Sequence, residues 1–176
     1  MRSRYRVHYP DTSHFVTATT IKWLPIFVST ACCDIVVRSL QHCRQHKGLK
    51  IYGWVILDNH LHAILSAPAL PAVLRDLKSF TAREIIIQLE AERRHWLLNQ
   101  LQYYRAAHKA STHQVWQEGS HPQAIMTDRM MNQKLNYLHN NPVKRGMAAS
   151  PEHWRYSSAH EWLLGARPML KCDPWR

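Results

Sequence analysis

Two histidines one residue apart, His60-Leu61-His62, are the side chains of this chain best placed to do chemistry. They lie in Tyr52-Gly53-Trp54-Val55-Ile56-Leu57-Asp58-Asn59-His60-Leu61-His62-Ala63-Ile64-Leu65, two apolar β-like runs either side of Asp58-Asn59. Residues two apart on a strand share a face of the sheet. Both imidazoles therefore project one way, and Leu61 points to the core. Such a pair can hold a divalent cation from one side and leave its other positions open. A His-x-His pair alone is more often ordinary surface or core histidine, so the metal reading needs a second segment.

That segment is Lys134-Leu135-Asn136-Tyr137-Leu138-His139-Asn140-Asn141-Pro142-Val143-Lys144-Arg145-Gly146. Met131, Leu135 and Leu138 recur at helical spacing and form a buried stripe. Tyr137 and Asn141 sit four apart, on another face of the same helix. Pro142 disfavours helical geometry at the residue before it, so the helix is expected to end at Asn141. The Asn141 amide oxygen can then turn toward a metal, with the Tyr137 hydroxyl beside it. Taken singly, a helical tyrosine is usually a packing residue, and an asparagine before proline is usually only a helix stop.

The two segments together resemble the single-tyrosine HUH transposases, specifically the REP-associated tyrosine transposases of bacteria. The resemblance rests on Ile56-Leu57-Asp58-Asn59-His60-Leu61-His62, Lys78-Ser79-Phe80, Val115-Trp116-Gln117, Tyr137 through Gly146, and Trp154-Arg155-Tyr156-Ser157-Ser158-Ala159. It implies that His60 and His62 bind the metal, that Tyr137 is the nucleophile, and that Asn141 completes the ligand set. It also implies a ferredoxin-like HUH endonuclease fold with the histidine strand near the sheet centre. The implied substrates are hairpin-forming repetitive extragenic palindromes with a short single-stranded flank, cut through a 5′-phosphotyrosine link that leaves a free 3′-hydroxyl. Asp58 departs from the pattern, since proline is common there; it should alter the turn but not the ligands.

The chemistry is consistent with that reading. A phenol titrates near pKa ~10, so tyrosine needs a metal or base to favour phenolate. A divalent cation can also polarise the scissile phosphate and orient it for in-line attack. Imidazoles and an amide oxygen, completed by water and phosphate oxygens, suit Mg²⁺ or Mn²⁺. Lys134 stands one turn before Tyr137, where it could favour phenolate or hold phosphate, although such a lysine is more often merely solvated. His139 points elsewhere on the helix, toward a structural role or a DNA contact. His42 and His46 are four apart but have no third ligand in view.

Composition points the same way. In 176 residues there are 23 Lys plus Arg against 12 Asp plus Glu, a formal charge of +11, and the pI is about 9.9. That balance favours nucleic acid over membrane as partner. The proposed DNA contacts are Arg4 and Arg6 in a basic arm over residues 1–10, then Lys78, Arg83, Lys134, Lys144 and Arg145, with Arg2, Arg93 and Arg94 behind them. Lys144 and Arg145 rank first because they follow the tyrosine helix. No apolar run is long enough to span a bilayer, and the N-terminus does not read as a signal peptide. A cytoplasmic, nucleoid-associated protein is expected. Cys32, Cys33, Cys43 and Cys172 form no CxxC pair and read as buried free thiols. Monomer and homodimer both stay open.

The elements that must position these residues form one domain over 1–176, with a C-terminal tail from residue 150 packing onto it. A first strand is expected over 15–21, a helix from Ser29 or Thr30 to about His46, and a hairpin of strands 50–57 and 60–66. A long helical region should open at Pro68 and Pro71 and run to about Asn99, with a break near Thr81. A short strand is expected around Val115-Trp116-Gln117. The tyrosine helix should start near Thr127 or Asp128, and Ser158 to Glu161 has capping-box spacing for a last helix. The class is α+β, a mainly antiparallel central sheet with packed helices. The leading expectation is a metal-dependent single-strand DNA endonuclease and strand transferase. The alternatives are a domesticated, non-catalytic protein that binds DNA hairpins and a replication-initiator or relaxase-like nickase.

Overall fold

Strands buried on both faces and a helical stripe in the longer helices divide the chain into one sheet between two helical layers. The computed structural model describes residues 12–119 and 122–175. The expected basic arm, with Arg2, Arg4 and Arg6, lies outside the described residues. Along the chain run β1 (Ser13–Thr19), α1 (Thr30–His46), β2 (Lys50–Ile56), β3 (His60–Ser66), α2 (Leu70–Ala91), α3 (His95–Tyr103), β4 (Gln123–Ile125), α4 (Asp128–Lys144) and α5 (Ala159–Leu164). The sheet order is β2-β3-β1-β4, and all three pairings are antiparallel. The histidine strand β3 is thus interior, bonded to β2 on one edge and β1 on the other.

The two faces of the sheet pack against different helices. Val16, Ala18, Leu61, Ala63 and Leu65 join Val36 and Leu40 of α1 and Leu77 and Ile85 of α2 in the larger core. Phe15, Tyr52, Val55 and Ile64 face Met131, Leu135 and Leu138 of α4 in the smaller one. Burying such a side chain stabilises by roughly 1.5–3 kcal/mol, so the larger layer dominates stability. A register shift between Ile51 and Gly53 turns Gly53 toward α4. A Cβ there would stand 2.5 Å from Leu135 Cδ2. Glycine at this position is what lets α4 lie so close to the sheet.

Most expected elements form as expected. Ser29 caps α1 by accepting from the Cys32 amide, and Thr127 caps α4 by accepting from the Met130 amide. All four cysteines are free and buried. Residues 154–158 lie along the outer edge of β2 and shield it. Ile56 N–H donates to Tyr156 O at 2.9 Å, and Ser158 N–H to Trp54 O at 2.9 Å. Trp154 Nε1 donates to Ile56 O. A covered edge strand cannot template pairing with another chain.

Four local expectations are corrected. Pro142 does not end the tyrosine helix, which runs to Lys144 and holds the proline inside its last turns; only one backbone donor is lost, and Gly146 at φ +68° stops the chain. There is no break at Thr81, whose buried hydroxyl bonds back to Leu77 O at 2.7 Å; the break falls between α2 and α3, where Arg93 takes φ +53°. Trp116 makes only an isolated bridge to Thr20, and the fourth strand is β4, three residues long and too short to show an alternation. Ser158 precedes α5 but does not cap it. Its hydroxyl is taken by Trp54 and His139 instead.

Candidate functional site

The face of the sheet beneath α4 carries both histidines. His60 and His62 are buried, with ring centroids 4.5 Å apart. Leu61 points into the opposite core, as the strand period requires. Each imidazole is held at Nδ1. His62 Nδ1 lies 2.9 Å from Thr17 Oγ1, its cross-strand partner on β1. His60 Nδ1 lies 2.6 Å from Asn59 Oδ1.

The second contact favours one tautomer. Asn59 Nδ2 donates to Trp23 O at 3.3 Å, so the amide oxygen is the atom turned to His60. That oxygen can only accept, and its 2.6 Å contact outweighs the 3.5 Å approach of Arg145 Nη1 to the same nitrogen, which favours a proton on His60 Nδ1. Nε2 is then the unprotonated nitrogen, the usual arrangement of a metal-ligating histidine braced from behind. Burial keeps both rings neutral. It pulls His60 down to about 4, helped by the Arg145 cation and opposed by Asp58. It pulls His62 down to about 3, with His60, Lys134 and Arg145 adding to the effect.

Helix α4 brings the remaining residues in one line. Tyr137, Asn141 and Arg145 are spaced by four and so share a stripe. Tyr137 is 43% exposed, and its ring centroid lies 5.4 Å from that of His62. Phe15 wedges against both, 5.2 Å from His62 and 5.8 Å from Tyr137. At the other end of the stripe, Arg145 reaches the turn before His60. Its guanidinium pairs with Asp58 at 3.1 Å and donates to Asn59 Oδ1 at 3.2 Å. The stripe thus runs along β3 from His62 to His60, with buried Asn141 between its two anchored ends.

The basic candidates separate into groups. Lys134 Nζ lies 4.7 Å from the Phe15 ring centroid and Lys144 Nζ 5.9 Å from that of Tyr137. Both line an open groove of about 380 Å³ with Gln133, Asn136, Tyr137 and Asn140. Arg145 is engaged with the turn rather than held out to solvent. Lys78 reaches from α2 to Gln117 O, at the end of β1 where Thr19 pairs with His60. Arg83 lies over Phe80 and against Glu84 on α2, in the layer across the sheet from α4. Arg4 and Arg6 lie outside the described residues.

His139 has a structural role: it is buried, and its Nε2 lies 2.8 Å from Ser158 Oγ. His42 and His46 stack on each other at 4.4 Å. Among the described residues no group of three His, Cys, Asp or Glu could hold a metal ion. The His60–His62 site therefore depends on an amide oxygen, or on oxygens of water and substrate, for its other positions. Sequence reasoning missed Thr17, Phe15, Asn59 and the clamp made by Arg145. Only the adjacency of Asn59 to His60 was open to inspection; the rest needs the strand register and the helix placement.

No protein-family model matches the chain. A curated Haemophilus influenzae protein, assigned as a REP-associated tyrosine transposase, is 24% identical over 116 residues, or 66% of this chain. The chain spans only 62% of that relative's length. A solved REP-associated tyrosine transposase bound to a REP hairpin matches with a TM-score of 0.67 at 17% identity, covering 99% of this chain and 93% of that one. A solved Deinococcus radiodurans protein described as a transposase covers 77% of this chain and 94% of its own, at 16% identity and a TM-score of 0.47. The fold is α+β, an antiparallel sheet with packed helices, and is shared with the solved transposase bound to the hairpin. Within that class, the proteins this chain resembles are the REP-associated tyrosine transposases.

Proposed function

We propose that this protein is a metal-dependent single-strand DNA endonuclease and strand transferase acting on hairpin-forming DNA. The observation that carries the reading is Tyr137 set 5.4 Å from the His62 ring, beside two histidines whose Nδ1 atoms are already held. The comparisons support it, since a solved protein of this fold binds a REP hairpin. Among the described residues no helix is long and apolar enough to cross a membrane. The donor set fits Mg²⁺ or Mn²⁺, which would be held by His60 Nε2, His62 Nε2 and the Asn141 oxygen and would polarise the scissile phosphate.

The chain's own residues supply the remainder. Tyr137 Oη attacks phosphorus as the bond to the 3′-oxygen breaks. The phenol proton leaves, and the departing 3′-oxygen takes up a proton to become a hydroxyl. The 5′-phosphate stays on Tyr137 as a phosphodiester, similar in energy to the bond lost, so a 3′-hydroxyl can reverse the step without ATP. Lys134 and Lys144 flank Tyr137 and hold neighbouring phosphates. Phe15 and His62 fix the ring's approach.

The test is a labelled hairpin with a single-stranded flank, incubated with Mg²⁺ or Mn²⁺ and resolved under denaturing conditions. Wild type should give a covalent protein–DNA adduct. Tyr137→Phe should give none while hairpin affinity stays close to wild type, because only a hydroxyl is lost. Tight hairpin binding with no adduct from wild type under any metal would replace this reading with a non-catalytic hairpin-binding protein.

A further inference from the structure

Between β1 and α1 the backbone takes a conformation that side chains resist. Lys22 and Trp23 stand in succession at φ +50° and +58°, and neither is glycine. A bulky residue in that region is strained and persists only where its surroundings enforce it. Here they do. Thr20 N–H donates to Asn59 O, Trp23 N–H donates to Thr20 O, and Thr20 Oγ1 donates to Leu24 O. Asn59 Nδ2 holds the Trp23 carbonyl. The same asparagine orients His60.

What this turn presents is an indole that is 59% exposed. It meets the His60 ring edge to face at 6.3 Å between centroids. On its other side, Lys22 Nζ lies 5.6 Å from the Tyr104 ring centroid. Tyr104 in turn contacts Tyr103 at 5.0 Å, and Tyr103 is 79% exposed. Two sets of contacts, His60 with Trp23 and Lys22 with Tyr104 and Tyr103, thus meet at the peptide bond that joins residues 22 and 23. Packing does not explain the outer rings, because Trp23, Tyr104 and Tyr103 are all exposed.

We propose that Trp23, with Lys22 and Tyr104 behind it, is a stacking platform for unpaired bases of the strand entering the site at His60. Exposed aromatics stack successive bases without regard to sequence, and an interleaved lysine neutralises the backbone. The strain at residues 22–23 aims the indole over the histidine end of β3. The ligand is thus a single-stranded nucleic acid segment next to the scissile phosphate, and the inference rests on the nuclease reading above.

The experiment compares a hairpin carrying a short unpaired flank with the same hairpin lacking it, with 2-aminopurine at one flank position. Wild type should prefer the flanked form and quench the 2-aminopurine signal. Trp23→Ala should weaken flanked-hairpin binding by about five- to hundredfold and restore the signal, leaving the flankless hairpin unchanged. Trp23→Phe should keep most of the preference. Trp23→Gly should lose it as Ala does yet melt no lower than wild type, because glycine accepts the positive φ; this variant, with Tyr104→Ala, carries the test if Trp23→Ala misfolds. Unchanged flank preference and quenching in the Ala and Gly variants would overturn the platform while leaving the nuclease reading intact. Equal weakening of flanked and flankless hairpins would overturn it too, as a structural effect. A wild type that makes no adduct and has no flank preference would instead sink the nuclease reading.

Discussion

The two faces of the sheet do different work with the same strands. Toward α1 and α2, the alternate residues of β1 and β3 are Val16, Ala18, Leu61, Ala63 and Leu65, all apolar and buried, with buried His14 at the far end of β1. Toward α4, the intervening residues include Thr17, His60 and His62. One strand, β3, therefore contributes to a dry core through one set of side chains and to a polar site through the other. The apolar face makes the strand rigid, and the rigidity holds the two imidazoles in register. Burial disfavours charge on the histidines of both faces, His60 and His62 on the α4 side and His14 at the end of β1 on the other.

This contrast can be broken most sharply at the histidines. His60→Ala or His62→Ala should abolish measurable Mg²⁺ or Mn²⁺ binding in calorimetric titration and reduce cleavage to background, with hairpin binding largely kept. Intact metal binding in either variant would remove that residue from the site. A smaller effect is expected from the clamp. Arg145→Ala frees the turn that orients Asn59 and His60, and outer partners of metal ligands typically cost about 10–100-fold in metal affinity. Asp58→Arg with Arg145→Asp should recover part of that loss, because the pair is reformed in reverse. If Arg145 acts only on DNA, its removal will lower the salt dependence of binding and leave metal affinity alone.

Acid should act on the buried histidines, His14 of the other face included. His60, His62 and His139 are all held well below 6.5 in the folded protein, mainly by burial. The unfolded chain therefore binds more protons below pH ~6.5, so this part of the stability is complete above that pH. It declines as pH falls toward about 4, where His60 and His139 begin to protonate in the fold. Melting temperature measured across that window should fall, and His139→Asn should make the fall shallower. The smallest effect on the site is expected from the other face. Leu40→Ala should destabilise by about 2–5 kcal/mol, yet the folded fraction should bind metal as wild type does. A parallel loss of metal affinity would show that the two layers are not separable.

Much of this was legible in the residues themselves. The His-x-His spacing put both imidazoles on one face, and the Tyr137–Asn141 spacing put them on one stripe. Capping residues at Ser29 and Thr127 set the helix starts. Local rules failed where tertiary contacts overruled them. Pro142 reads as a stop, but a helix braced by Leu135, Leu138 and the Arg145 clamp tolerates the missing donor. Thr81 reads as a break until its hydroxyl is seen to bond within the helix and to Trp116. The β4 strand is too short to show a period. Trp23 was hidden for a different reason. Nothing in its neighbours signals a left-handed turn, since neither it nor Lys22 is a residue that favours one.

The interior placement of β3 also bears on how the site opens. Its amides are bonded to neighbours on both edges, so they should exchange with solvent only when the whole domain unfolds. The last turns of α4 lack the donor that Pro142 cannot supply, and hold to the β2–β3 turn through the Arg145 side chain, by its ion pair with Asp58 and its hydrogen bond to Asn59. Their amides should exchange through a cheaper, partial opening. The histidines and Asn141 should thus belong to units of different protection, the imidazoles staying in place through fluctuations that move the asparagine and the helix end.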